Sequence, residues 1–92
     1  MPFSKWLLDL KDRKSRAVIL RRVSQAEEGN LGTYRAIGDG VLELKVDFGP
    51  GYRVYFGLDG EKLIVLLCGG DKGSQRRDIA LAQKYWNDYQ RR

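Results

Sequence analysis

The sequence predicts an α+β fold in which an N-terminal helical hairpin packs on a small antiparallel meander sheet and a C-terminal helix follows. The hydrophobic period is helical up to about Gly32, changes to two in the middle of the chain, and is helical again from about Ser74. The strand-like runs are joined by short turns, which favours antiparallel neighbours. The chain has 92 residues, of which 42% are hydrophobic, so residues 1–92 are interpreted as a single domain with its own core.

Two helices are predicted before the sheet. Ser4 is a possible N-terminal cap of the first helix, and Asp12 of the second. The first helix has its apolar residues at i, i+3, i+4 and i+7, namely Phe3, Trp6, Leu7 and Leu10. The second helix is expected to run to about Glu28, because Gly29-Asn30 is typical of a helix C-terminus. Its apolar stripe consists of Ile19, Leu20, Val23 and Ala26.

Three or four strands are predicted in the middle of the chain, and the candidate segments are residues 33–37, 42–48, 52–56 and 62–68. If Gly49-Pro50-Gly51 is a three-residue turn, Asp47 faces Arg53 and Lys45 faces Tyr55 on neighbouring strands. The last strand is apolar almost throughout, as expected where both faces of a strand are covered.

A glycine-rich loop is predicted after the last strand, marked by Gly69, Gly70 and Gly73. Ser74 is expected to cap a final helix. The apolar face of that helix is formed by Ile79, Ala82, Trp86 and Tyr89. The three helices should cover the apolar face of the sheet, which gives a domain of two layers.

Composition narrows the possible chemistry. The chain carries 17 Lys and Arg against 12 Asp and Glu, a net charge of +5, which favours nucleic acid or an acidic protein as partner. It has no histidine and a single cysteine, Cys68, so zinc sites of the usual Cys and His kinds and a histidine-activated thiol are excluded. No cofactor is expected. The longest apolar run, residues 63–68, is far too short to span a membrane, and we expect a cytoplasmic protein.

Polar residues of the two central strands form a candidate site. Lys45, Arg53 and Tyr55 share the sheet face opposite Leu44 and Val54. Such a face can hold a phosphate through arginine and stack a base on tyrosine. The alternative is purely structural: Asp47 and Arg53 form a cross-strand ion pair worth a few tenths of a kcal/mol to about 1 kcal/mol. Spacing alone leaves both interpretations open.

The glycine-rich loop is a weaker candidate. It lacks the spacing of a nucleotide-binding phosphate loop, because Lys72 directly precedes Gly73 and Ser74. What remains is a strand-to-helix loop in which backbone N–H groups and Lys72 favour an anion.

Several segments together resemble toxins of the RelE/ParE superfamily, most closely the HigB-like branch known as addiction module killer proteins. These segments are Phe3-Ser4-Lys5-Trp6-Leu7, Gly29-Asn30-Leu31-Gly32, Gly38-Asp39-Gly40-Val41-Leu42-Glu43-Leu44, Gly49-Pro50-Gly51-Tyr52-Arg53-Val54-Tyr55-Phe56 and Cys68-Gly69-Gly70-Asp71-Lys72. The resemblance implies a RelE-like fold and the toxin of a bacterial type II toxin–antitoxin system.

Within that superfamily the resemblance implies a ribosome-dependent endoribonuclease that cuts mRNA without a metal and stops translation. A cognate antitoxin, usually a helix-turn-helix protein, silences the toxin, and the complex contacts operator DNA through the antitoxin. The ParE branch instead inhibits DNA gyrase without nuclease activity, so this target is the alternative. A basic binding module without toxicity is a third hypothesis.

The resemblance also implies site residues. Lys45, Arg53 and Lys72 match best the catalytic cations of the ribonuclease members, while Tyr55, Gln75 and Arg35 are assigned to substrate binding. Arg53 and Lys72 would stabilise the phosphate charge, Lys45 would transfer a proton or stabilise charge, and Tyr55 would stack a base or position a neighbour. The chain departs from the family pattern in two ways. Several HigB relatives use histidines, whereas this chain has none. Family members usually carry a strand before the first helix, whereas the helical pattern of this chain begins at Phe3, so we expect that the first strand is absent or that the start is truncated.

Overall fold

Three helices and four strands follow one another in the order α-α-β-β-β-β-α in a computed structural model that describes residues 2–60 and 63–92. The helices are α1 (Pro2–Asp9), α2 (Arg13–Glu27) and α3 (Gln75–Gln90). The strands are β1 (Tyr34–Gly38), β2 (Val41–Val46), β3 (Tyr52–Asp59) and β4 (Leu63–Gly70), and a 3-10 turn, Lys72–Ser74, precedes α3. The start predicted for the last strand at Lys62 lies outside the described residues. The predicted α+β class is confirmed.

The sheet is an open antiparallel meander of order β1-β2-β3-β4. Leu44, Val54 and Phe56 point to one face, where Phe3 of α1 and Ile19 of α2 pack against them. Burial of these side chains is the main stabilising term, at about 1.5–3 kcal/mol each. This face therefore holds the larger of the two apolar clusters.

The predicted two-layer arrangement is wrong, because α3 lies on the opposite face of the sheet from α1 and α2. Val41, Tyr55 and Leu67 point to that second face and form a separate cluster with Ala82 and Trp86 of α3. Trp86 fits flat because Gly57 of β3 has no side chain; a Cβ there would lie 2.4 Å from the indole ring. The sheet is thus the middle of three layers.

The ends and the buried face of the first two helices follow local sequence signals, except that Ser4 and Leu20 differ from the prediction. Asp12 caps α2 as predicted, its side chain accepting the N–H of Lys14 at 3.1 Å. Ser4 is not a cap, since α1 already begins at Pro2, a residue favoured in the first turn of a helix. The predicted stripe of α2 is buried at Ile19, Val23 and Ala26, whereas Leu20 is half exposed.

The predicted register of β2 and β3 is wrong by two residues. Val46 pairs with Tyr52 and Lys45 with Arg53, so the connection comprises the five residues 47–51. The chain turns early because the N–H of Phe48 donates to the carbonyl of Val46, and Gly51 then closes a second turn onto the carbonyl of Phe48. Asp47 therefore lies beyond the ladder and does not face Arg53.

The predicted glycine loop is also shorter than expected, because Gly69 and Gly70 belong to β4. A Cβ on Gly69 would lie 2.3 Å from the Trp6 ring, and one on Gly70 would lie 1.8 Å from the Asp78 carboxylate. Both positions therefore need glycine for close packing against helices on opposite faces, rather than for a loop conformation.

Candidate functional site

The candidate site is the part of the α3-side sheet face that α3 leaves uncovered, next to the first turn of that helix. A pocket of about 360 Å³ opens there. It is lined by Thr33, Tyr34, Arg35, Glu43, Lys45, Arg53 and Gln75. A larger groove of about 520 Å³ lies between Asp39 and the far half of α3; among the described residues that line it, Lys84 is the single cation, so it is not an anion site of comparable charge.

Glu43 is the centre of the pocket. It is 4% exposed, and both of its carboxylate oxygens accept hydrogen bonds. Arg35 Nε donates to Oε1 at 2.7 Å, while the Tyr55 hydroxyl and Gln75 Nε2 each donate to Oε2 at 2.9 Å. Burial raises the pKa of Glu43, but the hydrogen bonds from Arg35, Gln75 and Tyr55 outweigh it and hold the pKa below its ordinary value. Glu43 is therefore an ionised, fully engaged acceptor.

Arg53 lies beside this carboxylate, and its buried Nε has no hydrogen-bond partner among the described residues. Its side chain is 10% exposed, and its Nε stands 3.9 Å from Glu43 Oε2, within ion-pair range but without a hydrogen bond. Its Nη1 donates to the carbonyl of Gly51 at 2.7 Å, which fixes the guanidinium plane. A buried donor without an acceptor is costly, and because Nε is inaccessible, a phosphate oxygen in the pocket would meet Arg53 through the part of its guanidinium that lines the pocket.

The Asp47–Arg53 ion pair, the structural alternative for Arg53, is wrong, because the structure places Arg53 beside Glu43 instead. Asp47 is exposed and outside the ladder, and the residue opposite Arg53 is Lys45. Like charges directly opposite one another are unfavourable by themselves. The pair is compatible with folding because Glu43 lies next to Arg53 and because Lys45 is exposed to solvent.

Lys72 is placed at the rim of this site by the 3-10 turn. Asp71 caps the turn, accepting the N–H groups of Gly73 at 2.8 Å and Ser74 at 3.2 Å. A Cβ built on Gly51 would lie 3.5 Å from Arg53 Nη1 and 4.0 Å from the Cβ of Lys72. The turn thus brings the exposed Lys72 next to Arg53, although the two are on separate elements.

The turn is locked to α3 by a buried carboxylate. Ser74 stands at the N-terminal position predicted for a cap, but its hydroxyl caps no N–H of α3; it accepts the N–H of Asp71 at 3.3 Å and donates to Asp78. Cys68 lies beneath, its thiol directed at the carbonyl of Asp78 at 3.6 Å. Burial, with a smaller contribution from Asp78, raises the pKa of Cys68 to about 12, so this thiol is structural.

Tyr55 has a different place from the one that base stacking requires. Its side chain is 0% exposed, so the ring presents no face to a nucleobase. Burial and the hydrogen bond to Glu43 raise its pKa far above the ordinary value, which excludes it as a proton acceptor near neutral pH. Of the two roles considered for Tyr55, positioning remains.

The structure thus brings all six predicted site residues to one region. Five of them lie around Glu43, and the sixth, Lys72, lies at the rim. Sequence reasoning missed Glu43 and Asp78, the two buried carboxylates that hold these residues in place. The signal for Glu43 was the register: the five-residue connection places it opposite Tyr55 in the β2–β3 pair, and the β1–β2 pair places it opposite Arg35. Within residues 2–60 and 63–92, no group of three His, Cys, Asp or Glu side chains is arranged to hold a metal ion. No helix among the same residues is long and apolar enough to cross a membrane.

Comparison with known proteins identifies the family. The family model described as "Phage derived protein Gp49-like (DUF891)" matches residues 5–87, nearly the whole chain. A protein of Haemophilus influenzae, itself described as an uncharacterized protein, is 41% identical over 83 residues, which cover 90% of this chain and 84% of that protein. No solved structure matches the sequence. The chain belongs to the phage-derived Gp49-like family, a family of RelE-like, toxin-like proteins.

Proposed function

We propose that the protein is the toxin of a type II toxin–antitoxin system, of the HigB-like kind, and that it cleaves mRNA on the ribosome without a metal ion. It acts in the cytoplasm, where a cognate helix-turn-helix antitoxin silences it and carries the complex to operator DNA. One observation carries the proposal: the nearly buried guanidinium of Arg53 lines a pocket together with Arg35 and Lys45, and Lys72 lies at its rim. This arrangement suits the phosphate of a nucleic acid.

The chemistry needs only RNA and these side chains. The 2′-oxygen attacks the adjacent phosphorus, a new O2′–P bond forms, the P–O5′ bond breaks, and a 2′,3′-cyclic phosphate remains. The proton of the 2′-hydroxyl passes to a base, and the departing 5′-oxygen takes up a proton. Negative charge develops on the non-bridging oxygens, where preorganised cations act most strongly.

Each cation has a role that follows from its position. Arg53 offers a fixed guanidinium edge to the scissile phosphate, and Lys72 adds a mobile charge from the rim. Lys45, exposed and opposite Arg53, transfers a proton or stabilises charge. Arg35 is 59% exposed at the edge strand, so it can hold a neighbouring phosphate while still bound to Glu43.

The proposal is tested by adding the purified protein to a cell-free translation system and mapping mRNA ends, with gyrase supercoiling measured in parallel. Wild-type protein should cleave translated mRNA and leave supercoiling unchanged. Arg53→Ala should lower cleavage on the order of a hundredfold or more while the protein stays folded. Arg53→Lys should recover part of the loss, because an ammonium keeps the charge and loses the planar fork.

Arg21→Ala is the matched control, since it removes an exposed arginine on α2 and should leave cleavage unchanged. Inhibited supercoiling with intact mRNA would replace this proposal by the gyrase alternative. Full cleavage by a folded Arg53→Ala variant would remove Arg53 from the site.

A further inference from the structure

We infer that Glu43 is the positioning residue of this site: its carboxylate ties the edge strand, the central strands and the start of α3 together, so that the surrounding cations face the RNA phosphate. The inference rests on the proposed function and adds a residue to it. Glu43 is assigned to hold the cations rather than to accept the proton of the 2′-hydroxyl.

The first argument concerns the capacity of the carboxylate. Oε1 is bound by Arg35, and Oε2 by both Tyr55 and Gln75, at 2.7–2.9 Å. A general base must approach the proton that it removes within hydrogen-bond distance. Glu43 is 4% exposed and surrounded by its own donors, and those donors hold its pKa below the ordinary value. Both properties disfavour proton transfer to Glu43.

The second argument concerns what the carboxylate connects. Arg35 lies on β1, Tyr55 on β3, and Gln75 is the first residue of α3, next to the turn that carries Lys72. Among the described residues, Glu43 is the one acceptor that these three donors share. Removing its charge would release the exposed Arg35 and loosen the start of α3 at the same time.

The third argument concerns Arg53. Its Nε is 3.9 Å from Glu43, close enough for attraction and too far for a hydrogen bond. The carboxylate therefore offsets the charge of Arg53 beside Lys45 without binding the part of the guanidinium that lines the pocket.

The experiment compares Glu43→Gln with Asp47→Asn, which also removes one negative charge but from an exposed residue beyond β2. Binding is measured with a short 2′-O-methyl oligoribonucleotide, which keeps the phosphates and lacks the attacking hydroxyl. We expect Glu43→Gln to weaken this binding several-fold and to slow cleavage about tenfold to a hundredfold, because misplacement by about 1 Å costs on the order of a hundredfold. Asp47→Asn should change neither.

The split between binding and cleavage separates positioning from proton transfer. If Glu43 only positions, Glu43→Gln binds the oligonucleotide more weakly as well as cleaving more slowly, at every pH at which wild-type Glu43 is ionised. A loss confined to cleavage, with oligonucleotide binding intact, would overturn the inference and make Glu43 the base.

Tyr55→Phe provides a second variant in case Glu43→Gln folds poorly. The Tyr55 side chain is 0% exposed and cannot contact RNA, and its ring is retained in the variant. A weaker affinity for the oligonucleotide must then arise through Glu43, and we expect a loss of about twofold to fivefold, since one neutral hydrogen bond is worth about 0.5–1.5 kcal/mol. Unchanged affinity and cleavage in a folded Tyr55→Phe variant would count against the inference.

A readout without RNA distinguishes this inference from the proposed function. In ¹⁵N NMR spectra, the Arg35 Nε–H should give a signal protected from exchange in the wild type and lose that protection in Glu43→Gln. If wild-type protein neither binds nor cleaves RNA, the proposed function fails, and the positioning role fails with it even when the protected signal is present. If wild-type protein cleaves and Glu43→Gln cleaves equally well, the positioning role alone is overturned.

Discussion

The two faces of the sheet use the same strands for opposite purposes. Toward α1 and α2, β2 and β3 present Leu44, Val46, Val54 and Phe56, all nearly inaccessible to solvent. Toward α3, the alternate positions present Glu43, Lys45, Arg53 and Tyr55, which form a charged site. One face is stabilised by area removed from water, which is non-directional, and the other by hydrogen bonds, which require particular partners.

This difference explains which sequence predictions were correct. A shift of the β2–β3 register by two residues keeps every side chain on its face, because the side-chain period of a strand is two. The apolar face was therefore predicted correctly with the wrong register. On the charged face the same shift exchanges every partner: Arg53 meets Lys45 instead of Asp47, and Tyr55 meets Glu43 instead of Lys45.

The largest change in stability is expected for a substitution in the apolar face. Phe56→Ala removes a ring that is 1% exposed and packed against the α1–α2 layer, and we expect it to lower the free energy of unfolding by about 3–5 kcal/mol. Chemical denaturation followed by circular dichroism measures this. Leu8→Ala, at a side chain 75% exposed on α1, is the control and should change stability by less than about 0.5 kcal/mol. Equal effects of the two substitutions would contradict the assignment of this face as the main core.

The order and class of the elements could be predicted because each element has a local sequence signal. The signals are a hydrophobic period and a residue that marks a helix end, such as Asp12 at the start of α2 or Gly29 after its end. The side of the sheet on which α3 lies could not. Its placement depends on Gly57 and Gly70 accepting Trp86 and Asp78, contacts between residues that are distant in the sequence.

The second prediction compares adjacent glycines on the two faces of β4. Gly69→Ala and Gly70→Ala both force a methyl group into occupied space, and each should cost about 1–3 kcal/mol of stability. Their effects on function should differ. Gly69 meets the Trp6 ring of α1, whereas Gly70 meets Asp78 and Ser74, which anchor the turn of Lys72.

Cleavage should therefore fall in the folded fraction of Gly70→Ala and be retained in that of Gly69→Ala. The measurement is mRNA cleavage at matched concentrations of folded protein. Equal cleavage by the two variants would mean that Asp78 does not help to place Lys72.

The cations of the candidate site could be predicted from the sequence, but its carboxylates could not. Lys45, Arg53 and Lys72 are conspicuous in the sequence because each lies at a strand or loop position typical of anion binding. Glu43 alternates with Leu42 and Leu44 and is typical of a solvated strand position. It is buried because Arg35, Tyr55 and Gln75 converge on it from three elements, and only the pairing of those elements reveals this.

The third prediction concerns acid pH and tests the charged face alone. Because the pKa of Glu43 is lower in the folded protein than its ordinary value of about 4.3, its contribution to stability is fully present above about pH 4.3 and is lost as the pH falls through the lower, folded pKa. Thermal melting against pH should show a steeper acid loss for wild-type protein than for Glu43→Gln. Identical slopes below about pH 4.3 would indicate that Glu43 is not held by its three donors.

The smallest effect is expected for Asp47 and Arg53, the pair that a three-residue turn would have placed opposite one another. If Asp47 paired with Arg53, Asp47→Ala would cost up to about 1 kcal/mol and couple to Arg53→Ala. In the observed register Asp47 is exposed beyond β2, so Asp47→Ala should change stability by less than about 0.5 kcal/mol and the double-mutant coupling to Arg53 should be near zero. Lys45→Ala should instead couple to Arg53→Ala with the sign of a repulsion, because the two cations lie directly opposite one another. The cycles are measured by chemical denaturation, and a favourable Asp47–Arg53 coupling would restore the three-residue turn and the structural interpretation of Arg53 with it.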